Sequence, residues 1–210
     1  MLVAGLLIWL LGGEEGVQEA QKKEAQTEAS PETNQSPAAL PDAKPAQDDK
    51  INLDDKETRN KIAAEAIDSG KLQKRDKEGE RLGYAPNEQT PYTGWVKSMH
   101  DNGKLLGLGQ LKDGKQDGLM LTWHKNGQKR REANFKDGWW DGLVTRWYSN
   151  GQKMGEGNFK NGKVLTAVGW KPNGERSETN VVKGNGVVVD YNDDGTEKRR
   201  DTFKDGKTVK

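Results

Sequence analysis

From about residue 94 onward, apolar and polar positions alternate in runs of strand length that are interrupted at fixed places by Asn-Gly or Asp-Gly. In one such run Leu119, Leu121 and Trp123 point to one face, while Met120, Thr122 and His124 point to the other, the period-two pattern of a half-buried strand. Leu143, Thr145 and Trp147 repeat that pattern. On the returning runs Phe135 has Ala133 two residues away, Phe159 has Gly157 and Leu111 has Gly109. A small residue beside each large one leaves room for a ring from the neighbouring unit, so an aromatic ladder is expected. One series of turn pairs, Asn102-Gly103, Asn126-Gly127, Asn150-Gly151, Asn173-Gly174 and Asp194-Gly195, is spaced by 24, 24, 23 and 21 residues. A second series lies between them at Asp113-Gly114, Asp137-Gly138, Asn161-Gly162, Lys183-Gly184 and Asp205-Gly206. Such pairs supply the positive φ angles of a type I′ hairpin turn, so each unit is expected to be a two-stranded hairpin. A lone hairpin is unstable in water, and the units must therefore stack into one continuous twisted antiparallel sheet. The fold expected is all-β.

The units fall near residues 94–117, 118–141, 142–164, 165–185 and 186–210. Each carries Gly94, Gly118, Gly142, Leu165 or Gly186 at its start, then Met99, Trp123, Trp147, Trp170 or Tyr191 five residues on. The fourth departs from the frame, with Leu165 in place of Gly and a shortened return strand.

The part before the repeats differs in kind. Residues 1–13 hold an uncharged apolar run of secretory-signal length, too short for a spanning helix at about 20 residues. No basic flank precedes it and no Ala-x-Ala site follows, so it reads as an export signal or a retained anchor. The expected location is the periplasm or cell envelope. Residues 14–50 carry nine acidic and four basic residues with Pro31, Pro37, Pro41 and Pro45 among them, and read as a disordered, solvated linker. In residues 51–71, Leu53, Ile62, Ala66 and Ile67 fall near helical spacing, which predicts a short helix between Asp55 and Asp68, stopped by Ser69-Gly70. That helix either caps the repeat domain, residues 72–210, or merely joins it.

Composition agrees with a thin core: 31% of residues are hydrophobic and 32% charged, and there are 26 glycines. The absence of Cys excludes disulfides, thiol nucleophiles and Cys-ligated metals. The net charge of +1 argues against broad capture of nucleic acid.

The frame G-x4-W-x2-N-G-x7-F-K-[DN]-G, clearest in GLMLTWHKNGQKRREANFKDG and GLVTRWYSNGQKMGEGNFKNG, resembles the MORN-variant repeats of bacterial YwqK-family antitoxins of toxin–antitoxin systems. LGYAPNEQTPYTGWV resembles that family's lead-in hairpin through Tyr84, Pro86, Thr90, Pro91 and Gly94. The resemblance covers about residues 72–210. It implies a MORN-like sheet that binds a protein partner, with a toxin as the partner neutralised by occlusion.

Candidate sites are few. His100 and His124 share one position in successive units, but two imidazoles without a third ligand make a poor zinc site. Asp113, Asp117, Asp137 and Asp141 fit turn chemistry better than a calcium loop. No cofactor and no catalytic group is expected. Trp139 and Trp140 are adjacent, so they cannot both point inward, and they are expected to anchor a partner. Lys129, Arg130 and Arg131, with the later cluster Lys198, Arg199 and Arg200, add positive charge for an acidic partner or an anionic membrane surface. The sequence is therefore read as a non-enzymatic protein-interaction module, with a membrane-tethered envelope scaffold or lipid-surface protein as the alternative.

Overall fold

The computed structural model describes residues 51–77 and 79–209; the expected signal or anchor at 1–13 and linker at 14–50 lie outside the described residues. Helix α1 spans Lys56–Glu65 and is followed by strand β1, Ile67–Asp68, and a 3-10 turn, Ser69–Lys71. Strands β2 (Gln73–Lys77) and β3 (Glu80–Tyr84) form a separate hairpin. The repeats supply β4 (Gly94–Met99), β5 (Leu105–Lys112), β6 (Lys115–Trp123), β7 (Lys129–Lys136), β8 (Trp139–Trp147) and β9 (Lys153–Lys160). They continue with β10 (Lys163–Trp170), β11 (Arg176–Val182), β12 (Asn185–Tyr191), β13 (Glu197–Lys204) and β14 (Lys207–Val209). Twelve strands form one sheet, in the order β1-β4 and then every later strand beside its sequence neighbour. This is the stacked-hairpin, all-β repeat fold that the turn spacing predicts. The sheet is mixed rather than wholly antiparallel, because β1 pairs with β4 in parallel through Ile67 and Val96.

The two turn series differ, which corrects the expectation of type I′ throughout. Asp113, Asp137, Asn161, Lys183 and Asp205 all have positive φ, as do the glycines after them, so the second series makes the type I′ turns. In the first series only the glycine is left-handed. There the amide of Gly103 donates to the His100 carbonyl and that of His100 to Lys104, the three-residue type I loop with a glycine bulge. Asn102 holds this loop by accepting from the Lys104 amide through Oδ1, at 3.1 Å, so its own φ need not invert.

Both kinds of turn are tied to the next unit. The Asn102 side-chain amide donates to the Lys125 carbonyl, Asn126 to Ser149 and Asn150 to Pro172. At the opposite end Asp117 accepts from the Asp137 amide, and Asp141 from that of Asn161. The histidines serve the same purpose: His100 Nε2 meets the Trp123 carbonyl at 2.9 Å and His124 Nε2 meets that of Trp147 at 2.9 Å. In the third unit Tyr148 takes over, its hydroxyl donating to the Trp170 carbonyl at 2.9 Å. The frame glycines Gly94, Gly118, Gly142 and Gly186 all have positive φ, whereas Leu165 does not, which is why the fourth unit tolerates a side chain there.

Alternation gives the sheet two different faces. On one, Val96, Leu111, Met120, Ala133, Phe135 and Val144 form a buried cluster with Trp140 and Phe159 against it. The Trp140 ring lies edge-on between Phe135, at 6.4 Å, and Phe159, at 4.9 Å, so the expected aromatic ladder forms here. On the other face Leu108, Leu121 and Trp123 are buried under Leu53 and Ala66, with Ile62 and Ala63 of α1 packed beside them. The helix is thus a cover on the sheet, not a joint. It starts at the N-cap Asp55, whose carboxylate accepts from the Thr58 amide at 2.6 Å. It ends at Ala66, earlier than its apolar spacing predicts, because Ile67 and Asp68 are drawn into the sheet edge.

The sheet also curls toward the phenylalanine face. Arg146 on β8 forms a two-point ion pair with Asp190 on β12, at 2.7 and 3.1 Å. Four strand spacings of about 4.8 Å would separate these strands by about 19 Å in a flat sheet, so the C-terminal hairpin folds back across β10 and β11. Thr179 permits this: its hydroxyl accepts from the Val189 amide and donates to the Val189 carbonyl, replacing the ladder where β12 leaves β11. Val189 and Tyr191 then bury against Tyr148.

Candidate binding face

The residues proposed from sequence do not form one site. Trp139 and Trp140 open β8 on opposite faces. Trp140 joins the phenylalanine ladder, with its indole nitrogen buried and unpaired, while Trp139 is half-buried, with its ring against the Gly162 turn. Arg131 shares a face with Trp140, its guanidinium carbon 5.5 Å from the ring centroid. Arg130 sits at a register shift beside Arg146; burial, and then the Arg146 charge, lower its pKa.

Lys129 points to the tryptophan face, where its ammonium lies 5.3 Å from the Trp147 ring centroid and contacts Asp54 at 2.6 Å and Glu132 at 2.8 Å. Burial alone would lower its pKa, but these two carboxylates outweigh it and raise the value, so the charge is held.

The tryptophan face contains the more continuous feature. Across each hairpin a frame tryptophan pairs with a cation six residues later: Trp123 with Lys129, Trp147 with Lys153 and Trp170 with Arg176. Each lysine also lies over the tryptophan of the following unit, Lys129 over Trp147 and Lys153 over Trp170 at 5.4 Å. Arg176 reaches the same Trp170 ring at 5.1 Å. Coverage divides the face. Trp123 is buried, 6% exposed, under Leu53 and α1, whereas Trp147 and Trp170 are half-buried and Leu143 is 47% exposed. Sequence reasoning missed Trp147, Trp170, Lys153 and Arg176 because they belong to the repeat frame and looked like core. The recurring Trp-to-cation interval of six was the available signal.

Among the described residues no group of three or more His, Cys, Asp or Glu is placed to hold an ion, and Asp117 and Asp141 are committed to turn amides.

Residues 116–137 and 140–161 match the MORN repeat variant family. These stretches are the second and third units, running through β6–β7 and β8–β9, where the frame is most regular. The comparisons with curated proteins and with solved structures gave no match. The match to MORN repeats suggests a repeat-based binding module.

Proposed function

We propose that the chain is a non-enzymatic protein-binding module that grips its partner on the open part of the tryptophan face. The observation that carries this reading is the change of exposure at one frame position, from buried Trp123 to half-buried Trp147 and Trp170, where cations already flank the rings. Tryptophan and arginine are enriched among the few side chains that carry most of the energy of a protein interface. The resemblance to YwqK-family antitoxins favours a toxin as partner, blocked by occlusion rather than by reaction.

The lipid-surface alternative draws less support. Its basic clusters are largely engaged internally: Lys129 with Asp54 and Glu132, Arg199 with Asp190 and Asp201, and Arg200 with Glu178 and Glu197. Export and an envelope location remain part of the proposal through residues 1–13.

Affinity capture from the source cell tests the reading, with the full chain compared with Trp170→Ala and Trp139→Ala at low and high salt. One protein recovered by the full chain and by Trp139→Ala, but lost with Trp170→Ala, is the expected result. Recovery indifferent to Trp170→Ala, or co-sedimentation with phosphatidylserine vesicles that high salt abolishes, would overturn it in favour of the envelope scaffold.

A further inference from the structure

The N-terminal segment shows what the tryptophan face accepts. Leu53 is 3% exposed among Trp123, Leu121 and Leu108, and the next residue, Asp54, contacts Lys129. The chain has thus laid an aliphatic side chain beside the first tryptophan of the stripe and a carboxylate on the cation over the second.

One unit further on, the same positions are present without their cover. Trp147 replaces Trp123, Leu143 replaces Leu119, and Lys153 replaces Lys129. Lys153 keeps the local partner that Lys129 has, contacting Glu156 at 2.7 Å as Lys129 contacts Glu132 at 2.8 Å. What Lys153 lacks among the described residues is a counterpart to Asp54. Around Trp170 the imbalance is larger, because Lys153 and Arg176 both flank the ring and no carboxylate lies within ion-pair distance of Arg176 among the described residues. Two cations against one glutamate leave the site short of negative charge. Inward positions have also changed: Leu121 is replaced by Thr145 and Leu108 by Glu132. The second site is therefore less apolar than the first, and depends more on its rings and cations.

Resting on the function proposed above, we infer that the occupant of this site is an acidic peptide segment of a partner protein, carrying an aliphatic residue immediately before a carboxylate. Its aliphatic side chain lies on Trp147 and Leu143, and its carboxylate bridges Lys153 and Arg176. The interface continues the one that Leu53, Asp54 and α1 make on the same face. Indole and aliphatic contact supplies the apolar area, and the exposed cations Lys153 and Arg176 supply register and choice of partner.

The chain's own segment supplies the probe. A synthetic peptide of residues 51–66 is titrated into full-length, nitrogen-15-labelled protein, and the indole N–H resonances are followed. The expected result is saturable movement of Trp147 and Trp170 with Trp123 unmoved, and at least tenfold weaker binding by a peptide carrying Asp54→Lys. Lys153→Glu in the protein should weaken binding at least tenfold, while Lys153→Met, which retains the stem over Trp170, should weaken it by less. Unchanged helix and strand circular dichroism establishes that both variants fold. The proposal is overturned if millimolar peptide leaves Trp147 and Trp170 unmoved, or if Lys153→Glu binds as well as the parent. Movement of the same resonances with protein concentration alone identifies a second copy as occupant and also overturns it. Each of these failures leaves the binding-module reading standing if affinity capture still depends on Trp170.

Discussion

Replacement of Asp190 by Asn tests whether the C-terminal hairpin is held by charge. The Asp190 carboxylate is 13% exposed and lies between Arg146, at 2.7 Å, and Arg199, at 3.0 Å. Burial pushes its pKa up, but the two guanidinium groups outweigh that and hold it below the usual carboxylate value. Arg131 stands directly opposite Arg146 across β7 and β8, so removing the carboxylate leaves like charges facing each other. Breaking a fully buried pair by removing one partner costs about 3–5 kcal/mol. Arg146 and Arg199 are 27% and 36% exposed, which reduces the expected loss to about 2–3 kcal/mol. With a urea m-value near 2 kcal/mol/M, the unfolding midpoint should fall by about 1–1.5 M at pH 7. The double variant Asp190→Asn, Arg146→Met should recover about 1 kcal/mol or more, because it also removes the stranded cation. Because the folded pKa is depressed, the contribution is fully present above the unfolded value near 4 and is lost as pH falls through the folded one. Parent and variant should therefore converge once the pH is below that folded pKa. A loss below about 0.5 kcal/mol, the level of an exposed pair, would refute the idea that this contact closes the sheet.

Three further outcomes follow from the packing. Leu53→Ala should cost about 2–4 kcal/mol in urea unfolding and shift tryptophan emission to the red, because it opens the cover over Trp123. Gly157→Ala should cost about 1–3 kcal/mol in thermal or urea melts, since a Cβ there would lie 2.7 Å from the Thr166 carbonyl oxygen; Gly109→Ala, whose nearest neighbour would be at 3.4 Å, should cost less. Tyr148→Phe should cost about 1–1.5 kcal/mol by removing the bond to the Trp170 carbonyl. Burial, with Asp190 nearby, pushes the Tyr148 phenol up to about 12, so the neutral ring favours the folded state below pH 10 and this contribution fades as pH rises toward 12. Absorbance near 295 nm during an alkaline titration of parent and variant measures it.

The repeat sheet was legible because its information is local and recurs five times. Asn-Gly and Asp-Gly set the turns, and alternation in Leu119–Trp123 set the two faces. What one unit does to the next was less legible. Nothing in the letters distinguishes Asn102, which keeps a negative φ and spends its side chain on the Lys104 amide, from Asn161, which adopts a positive φ. The difference lies in whether two or three residues close the loop. Trp139 and Trp140 stood out by being unusual, yet the structure uses Trp140 inside the ladder and lays Trp139 against the Gly162 turn. Trp147 and Trp170 were hidden by regularity, since their exposure depends on where α1 stops covering the face. The fold-back of β12 depends on Thr179 bonding the backbone of Val189 and on a charge pair 44 residues apart, and neither has a local signature.

The asparagine contacts between turns give the array a direction. Each of Asn102, Asn126 and Asn150 reaches forward to a carbonyl of the following turn, but at the same position of the last turn Asp194 has no side-chain amide to donate and accepts from Thr196 within its own loop. The rail therefore has interior links and a terminator. A duplicated stretch of 24 residues inserted between the second and third units would meet a ready-made donor behind it and a ready-made acceptor ahead. Length along the first three turns is thus an adjustable quantity for engineering, while the last two units, with their fold-back, act as a fixed end-stop.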